Sequence, residues 1–271
     1  MEILLPAIGC AYGATFIWLV VSIINRPREW NGTRNLACAV LIAPLFGLCL
    51  LPGLDGRGHR TATRRSICKN NLKQIGLALH NYHEWYDCFP PAYIAGPDGT
   101  PWHSWRVLLL PFLDQQPLYN QYRFDEPWDG PHNRQLAGSV QAVFRCPADD
   151  HGGAEQAATM TSYVAIIGPG LAWPGSETTA FRDFLDGSST TILVAEVANS
   201  GIHWLEPRDL HLVQMAPTIN AKAGQGISSR HKEGAHILLT DGAVRFVGDK
   251  TPAVELRAWL TIDAGDRTND F

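Results

Sequence analysis

Residues 3–24 and residues 36–54 are strongly apolar and carry no charged side chain. Each is close to the roughly 20 apolar residues that a helix needs to cross a bilayer. We read both as transmembrane helices. The second is shorter and holds Pro44 and Pro52, so a buried core helix is its competing reading. The opening Met1-Glu2 contains no Lys or Arg, and no small-x-small site follows a short apolar core. The first helix is therefore expected to stay in place rather than be removed as a signal peptide. Residues 1–55 are expected to form a two-pass membrane anchor, and residues 56–271 a separate water-facing domain.

That domain holds 19 of the 22 basic and 23 of the 26 acidic residues, and all ten histidines. Its balance of −4 offers no large basic field, so no nucleic-acid partner is expected. A domain of this size can bury a sizeable core. Charge leaves its orientation open. Arg26, Arg28 and Arg34 between the apolar stretches favour a cytoplasmic loop, whereas Arg57, Arg60, Arg64 and Arg65 after the second stretch argue the opposite. Cys10, Cys38 and Cys49 lie in the apolar stretches, and the domain has Cys68, Cys88 and Cys146. Three cysteines allow at most one internal pair, and the absence of C-x-x-C argues against a zinc ribbon.

Leu72, Ile75, Leu79 and Tyr82 recur at three- and four-residue steps, which predicts a helix over about Thr63–Tyr86. Phe89-Pro90-Pro91 ends it. A second helix is expected from Ser104, as N-cap, to about Gln115 through Pro111, and a short one near Asn133–Val140. Val143–Arg145, Tyr163–Ile167, Thr190–Val197 and His236–Thr240 read as short strands. Asp241-Gly242, between two apolar runs, predicts a hairpin with a type I′ turn. Thr251 and Pro252 open a last helix to about Leu260. Residues 92–103 and 199–228 read as long loops. Helices come first and strands afterwards, which predicts an α+β fold.

Candidate chemistry is sparse. His80 and His83 can share one helix face. His103, His231, His236 and Asp241 are further candidate ligands, but there is no H-E-x-x-H. The single E-x-x-H, Glu233 to His236, enters a strand, where a three-residue step separates the side chains onto opposite faces. No metal and no cofactor are expected. His231 and Asp241 are candidates for acid–base work, yet their spacing fits a turn-forming Asp241 and a His231 bonded to backbone of the preceding loop. No nucleophile elbow and no phosphate loop is present. Glu196 is a candidate buried acid. Trp102, Trp105 and Trp128 are candidates to line a solute or glycan groove, with core packing as the competing use. The expectation is a protein without enzymatic activity.

One long match goes further. Arg64-Arg-Ser-Ile-Cys-Lys-Asn-Asn-Leu-Lys-Gln-Ile-Gly-Leu-Ala-Leu-His-Asn-Tyr-His83 resembles the mark of a bacterial family, the domain of unknown function 1559, sometimes labelled solute-binding. Phe89-Pro-Pro91, Phe144-Arg-Cys-Pro147, Asp186-Gly-Ser-Ser-Thr-Thr-Ile-Leu193 with Glu196, and His231 followed by nine residues and then Asp241-Gly242 extend the resemblance over about residues 60–262. Cys68, Asn70, Asn71, His80, His83, Cys146, Glu196, His231, Asp241 and Gly242 are the motif positions. The family resembles type IV pilins. The resemblance implies a long N-terminal helix packed on an antiparallel sheet, an extracytoplasmic domain at the inner membrane, and pilin-like or secretion components as partners beside the lipid bilayer. A Gly-Phe-Thr-x-x-Glu processing site is absent, and an extra apolar stretch stands in front. The expectation is an unprocessed, pseudopilin-like anchor protein. An oxidising location then permits a Cys68–Cys146 disulfide, with Cys88 as the competing partner.

Overall fold

The computed structural model describes residues 56–139, 141–149, 159–221 and 224–265, with side chains from residue 61 onward. The two apolar stretches lie outside these residues. Among the described residues, no helix is long and apolar enough to cross a membrane.

Helix α1 (Gly56–Tyr86) is 31 residues long and starts earlier than expected. Its Leu72, Ile75, Ala78 and Leu79 form one fully buried stripe, at about 1.5–3 kcal/mol for each large side chain taken out of water. Residues 61–67, by contrast, are exposed. Gly76 lies on the buried stripe, where an added Cβ would meet Leu238 Cδ1 at 2.8 Å. Its missing side chain lets the helix settle closely on the strand beneath. Asp87 closes the helix in the left-handed conformation, φ 57°, with its N–H on the His83 carbonyl.

The stretch expected as a loop at 92–103 instead forms a hairpin, β1 (Tyr93–Ala95) with β2 (Pro101–Ser104). Ser104 does cap α2 (Trp105–Leu108), accepting the Arg106 N–H, but α2 is one turn long. Pro111 has no N–H to donate, and the chain tightens into a 3₁₀ turn over Leu110–Leu113 before Asp114 turns left-handed. Helix α3 (Gln116–Tyr119) follows. The expected helix near 133–140 is a 3₁₀ turn, Asn133–Leu136, and the expected strand Val143–Arg145 is a 3₁₀ turn over Ala142–Phe144. A single 3₁₀ turn is too short to leave a periodic mark, so neither is distinguishable by pattern.

The remaining strands are β3 (Tyr163–Val164), β4 (Ile166–Ile167), β5 (Ile192–Glu196), β6 (Leu210–His211), β7 (Gly234–Leu239) and β8 (Val244–Gly248), followed by α4 (Ala253–Ala258). The main sheet is antiparallel, in the order β3-β5-β7-β8, and β4 pairs with β6 in parallel. Alternation divides β7 between two cores. Leu238 packs with the α1 stripe, whereas Ala235, Ile237 and Leu239 pack with Leu256, Trp259 and Leu260 at α4. The fold is α+β, with an antiparallel sheet covered by its N-terminal helix.

The β7–β8 turn departs from expectation in one detail. Gly242 is left-handed at φ 86°, but Asp241 is not. Thr240, Asp241 and Gly242 form a three-residue loop, closed by the Leu239 N–H on the Ala243 carbonyl and the Gly242 N–H on the Leu239 carbonyl, which needs only the last residue at positive φ.

Candidate functional site

Four motif positions from distant parts of the chain meet at one place beneath α1. Three- and four-residue steps along the helix put Cys68 and Asn71 on its buried face. Cys68 is disulfide-bonded to Cys146 across 78 residues, and Cys88 is a free, half-buried thiol. The Asn71 amide donates to the Arg145 carbonyl at 2.8 Å, while the Cys146 N–H donates to Ser162 Oγ at 3.1 Å. These bonds hold the segment after the 142–144 turn between helix and sheet.

Glu196, the last residue of β5, lies opposite Tyr163 of β3 and is 1% exposed. One carboxylate oxygen, Oε2, accepts the His236 N–H at 3.1 Å and faces His236 Nδ1 at 3.0 Å. The other, Oε1, faces His231 Nε2 at 3.6 Å. His231 Nε2 is also 3.4 Å from Cys146 Sγ. The expected bond from His231 to backbone of the preceding loop is not its side chain's role. Glu233, left-handed at φ 71°, lies in the turn between it and β7, and the ring points into the cluster.

Burial pushes the His231 pKa down, more than the Glu196 carboxylate beside it pulls it up. The imidazole is thus neutral near neutral pH. Tyr163, whose hydroxyl lies 3.4 Å from the Cys68 carbonyl, is held well above the usual phenol range, chiefly by burial.

His231 also lines a pocket of about 580 Å³ on the helix side, together with Arg64, Arg65, Arg230 and Lys232. A second pocket, of about 390 Å³, is lined by Cys146, Asn71 and Arg145. The cluster is thereby approached from two sides. The basic pocket is not legible in the sequence, where Arg64-Arg65 reads as a topology signal and the start of the family motif and Arg230-x-Lys232 carries no mark. Arg65 is held in place by Phe246, whose ring centre lies 3.5 Å from its guanidinium carbon. Arg230 reaches toward Asp149 at 3.8 Å.

The other motif positions lie elsewhere. His80 Nε2 bonds the Thr240 carbonyl at 2.8 Å, and its ring sits against Gly242. A side chain at Gly242 would crowd it. His83 Nε2 accepts the Phe181 N–H at 3.3 Å, which requires a neutral ring, and burial lowers its pKa accordingly. Asp241 is exposed and accepts the Ala243 N–H, a turn role. Asn70 is exposed. His80, His83 and Asp241 therefore do not converge with His231.

The three tryptophans do not share one surface. Trp105 is fully buried, and its Nε1–H donates to Asp209. Trp102 and Trp128 are half-buried and adjacent, joined by a backbone bond. Burial of Trp105 takes it out of any groove.

Comparison with known proteins gives one match. A family model named SBP_bac_10, described as a protein of unknown function (DUF1559), matches residues 58–179 and 203–253. No curated protein and no solved structure matches.

Proposed function

The chain belongs to the DUF1559 family, and from that premise we propose that it is a membrane-anchored, pseudopilin-like envelope protein that works through contacts rather than catalysis. The observation that carries this reading is the layout of α1. Its later turns bury one stripe on an antiparallel sheet, while residues 61–67, toward the apolar stretches, are exposed. A type IV pilin-like domain on an N-terminal stalk has this arrangement. The Cys68–Cys146 disulfide supports an extracytoplasmic location. On this reading residues 3–24 and 36–54 are the two membrane passes, and the partners are the inner membrane and other pilin-like or secretion components. The test is topology and processing together. A C-terminal periplasmic reporter should be active, and the membrane-bound product should keep its full mass. A C-terminal domain found in the cytoplasm overturns the reading. A product cut before residue 36 replaces the two-pass anchor with a processed pilin.

A second reading, an extracytoplasmic solute-binding module, is favoured by the pocket beside His231 and by the name of the family model. Its site is then the pocket of Arg64, Arg65, Arg230 and Lys232 rather than the tryptophans, and its solute is anionic. Calorimetry with citrate and inorganic phosphate tests this. Binding lost in Arg64→Ala and Arg230→Ala supports it, and heat independent of those residues removes it.

A further inference from the structure

We propose that Cys68, Cys146, Glu196 and His231 form a redox-gated site for a borderline-soft divalent cation, zinc foremost, available when the disulfide is open. One ligand atom from each lies within 4.8 Å of all the others. Tetrahedral zinc with N, O and S ligands has ligand-to-ligand edges of roughly 3.3–3.8 Å, from its bond lengths. Two edges already have that length: Cys146 Sγ to His231 Nε2 is 3.4 Å, and His231 Nε2 to Glu196 Oε1 is 3.6 Å. The chemistry of the set also fits, since two thiolates, an imidazole and a carboxylate are zinc ligands.

The surroundings are those of a supported site. His236 holds Glu196 Oε2 through its N–H and faces it with Nδ1, which leaves Oε1 directed at His231. Such outer partners orient a ligand before the ion arrives. The four residues come from α1, the segment after the 142–144 turn, the end of β5 and the loop before β7, so the ion would join the two pieces that the disulfide joins and tie both to β5 and that loop.

The two states exclude each other. A dithiol reductant gives two electrons and two protons to the Cys68–Cys146 bond, leaving two thiols and becoming a cyclic disulfide itself. The sulfurs then separate by side-chain rotation to a zinc edge. Zinc binding displaces the two thiol protons to solvent. Oxidation by a disulfide-forming partner takes two electrons from the thiolates, restores the bond and releases the ion. A cross-link between α1 and the segment after the 142–144 turn is thus present in either redox state, once covalent and once metallic.

The test uses the full chain in detergent, reduced with a phosphine, which takes up oxygen from water as it opens the disulfide and competes little for the metal. Cobalt(II) is the probe. The reduced chain should bind one cobalt with thiolate-to-cobalt charge-transfer absorption and tetrahedral d–d bands. Zinc should displace it, and the oxidised chain should show neither band. His231→Ala should lose tetrahedral binding, and His236→Gln should weaken it by about 10–100-fold. Equal binding by the oxidised chain, or by His231→Ala, overturns the proposal, because sulfur or the surface alone would then explain the metal. Should the reduced chain lose its fold, zinc is expected to restore its circular dichroism and a cooperative melt. A chain that stays unfolded in excess zinc also overturns it.

Discussion

Asp209 is a single carboxylate that ties three parts of the fold together. It pairs with Arg106 with both side chains fully buried, and it accepts the Ala165 N–H at 2.8 Å and the Trp105 Nε1–H at 3.1 Å. Arg106 in turn donates to the Tyr163 carbonyl on the edge strand of the main sheet. Replacing Asp209 with Ala strands a buried guanidinium, so a loss of about 3–5 kcal/mol is expected, read as a shift in the denaturant midpoint. Cys68→Ser tests a different kind of bond. Under oxidising conditions it should cost about 2–4 kcal/mol, since it frees a long loop in the unfolded chain. The same variant under phosphine, with zinc absent, should differ little from the reduced parent. Neither Asp209 nor Arg106 was marked by the sequence as special. A buried ion pair is a fact about two segments about 100 residues apart, and nothing local in either one announces it.

At the scale of elements, the close seating of α1 on β7 should be the most sensitive contact. Gly76→Val pushes a branched side chain into Leu238 and is expected to cost about 1–3 kcal/mol by overpacking. Leu72→Ala leaves a hole in the same interface and should cost about 2–5 kcal/mol. Thermal melts of both variants, compared with exposed Leu77→Ala as control, give the ranking. This element was legible beforehand because Leu72, Ile75 and Leu79 repeat at helical steps, and β5, β7 and β8 announced themselves by β-branched runs and Asp241-Gly242. The turns at 110–113 and 142–144 were not legible, because one turn of 3₁₀ helix leaves no periodic mark and Pro111 decides its shape through a missing N–H. The candidate site was half legible. Cys68, Cys146, Glu196 and His231 were each recognisable in the chain, but only the register of β3 on β5 and the path into β7 set Glu196 facing His231.

The whole molecule should be acid-sensitive. Away from the candidate site, His83, His103 and His203 all have pKa values lowered chiefly by burial. A base whose folded-state pKa is depressed resists protonation until the chain unfolds. Stability from these rings is therefore complete above the unfolded value near 6.5 and falls as pH drops below it, levelling off only under the depressed folded values. Melting temperatures measured from pH 8 to pH 5 should hold steady and then decline, and His103→Gln, which can keep a hydrogen bond to Tyr122, should flatten the decline. Cys68 also has a consequence at this scale, through its position on α1. Among the helix residues whose side chains are described, it is the first buried one, directly after the seven exposed positions 61–67. Tension drawn along the helix from its N-terminal end would meet a covalent bond at the first buried side chain described, ahead of the Leu72, Ile75 and Leu79 stripe. While the disulfide is closed, peeling α1 from the segment after the 142–144 turn would require breaking a covalent bond rather than shearing packed side chains.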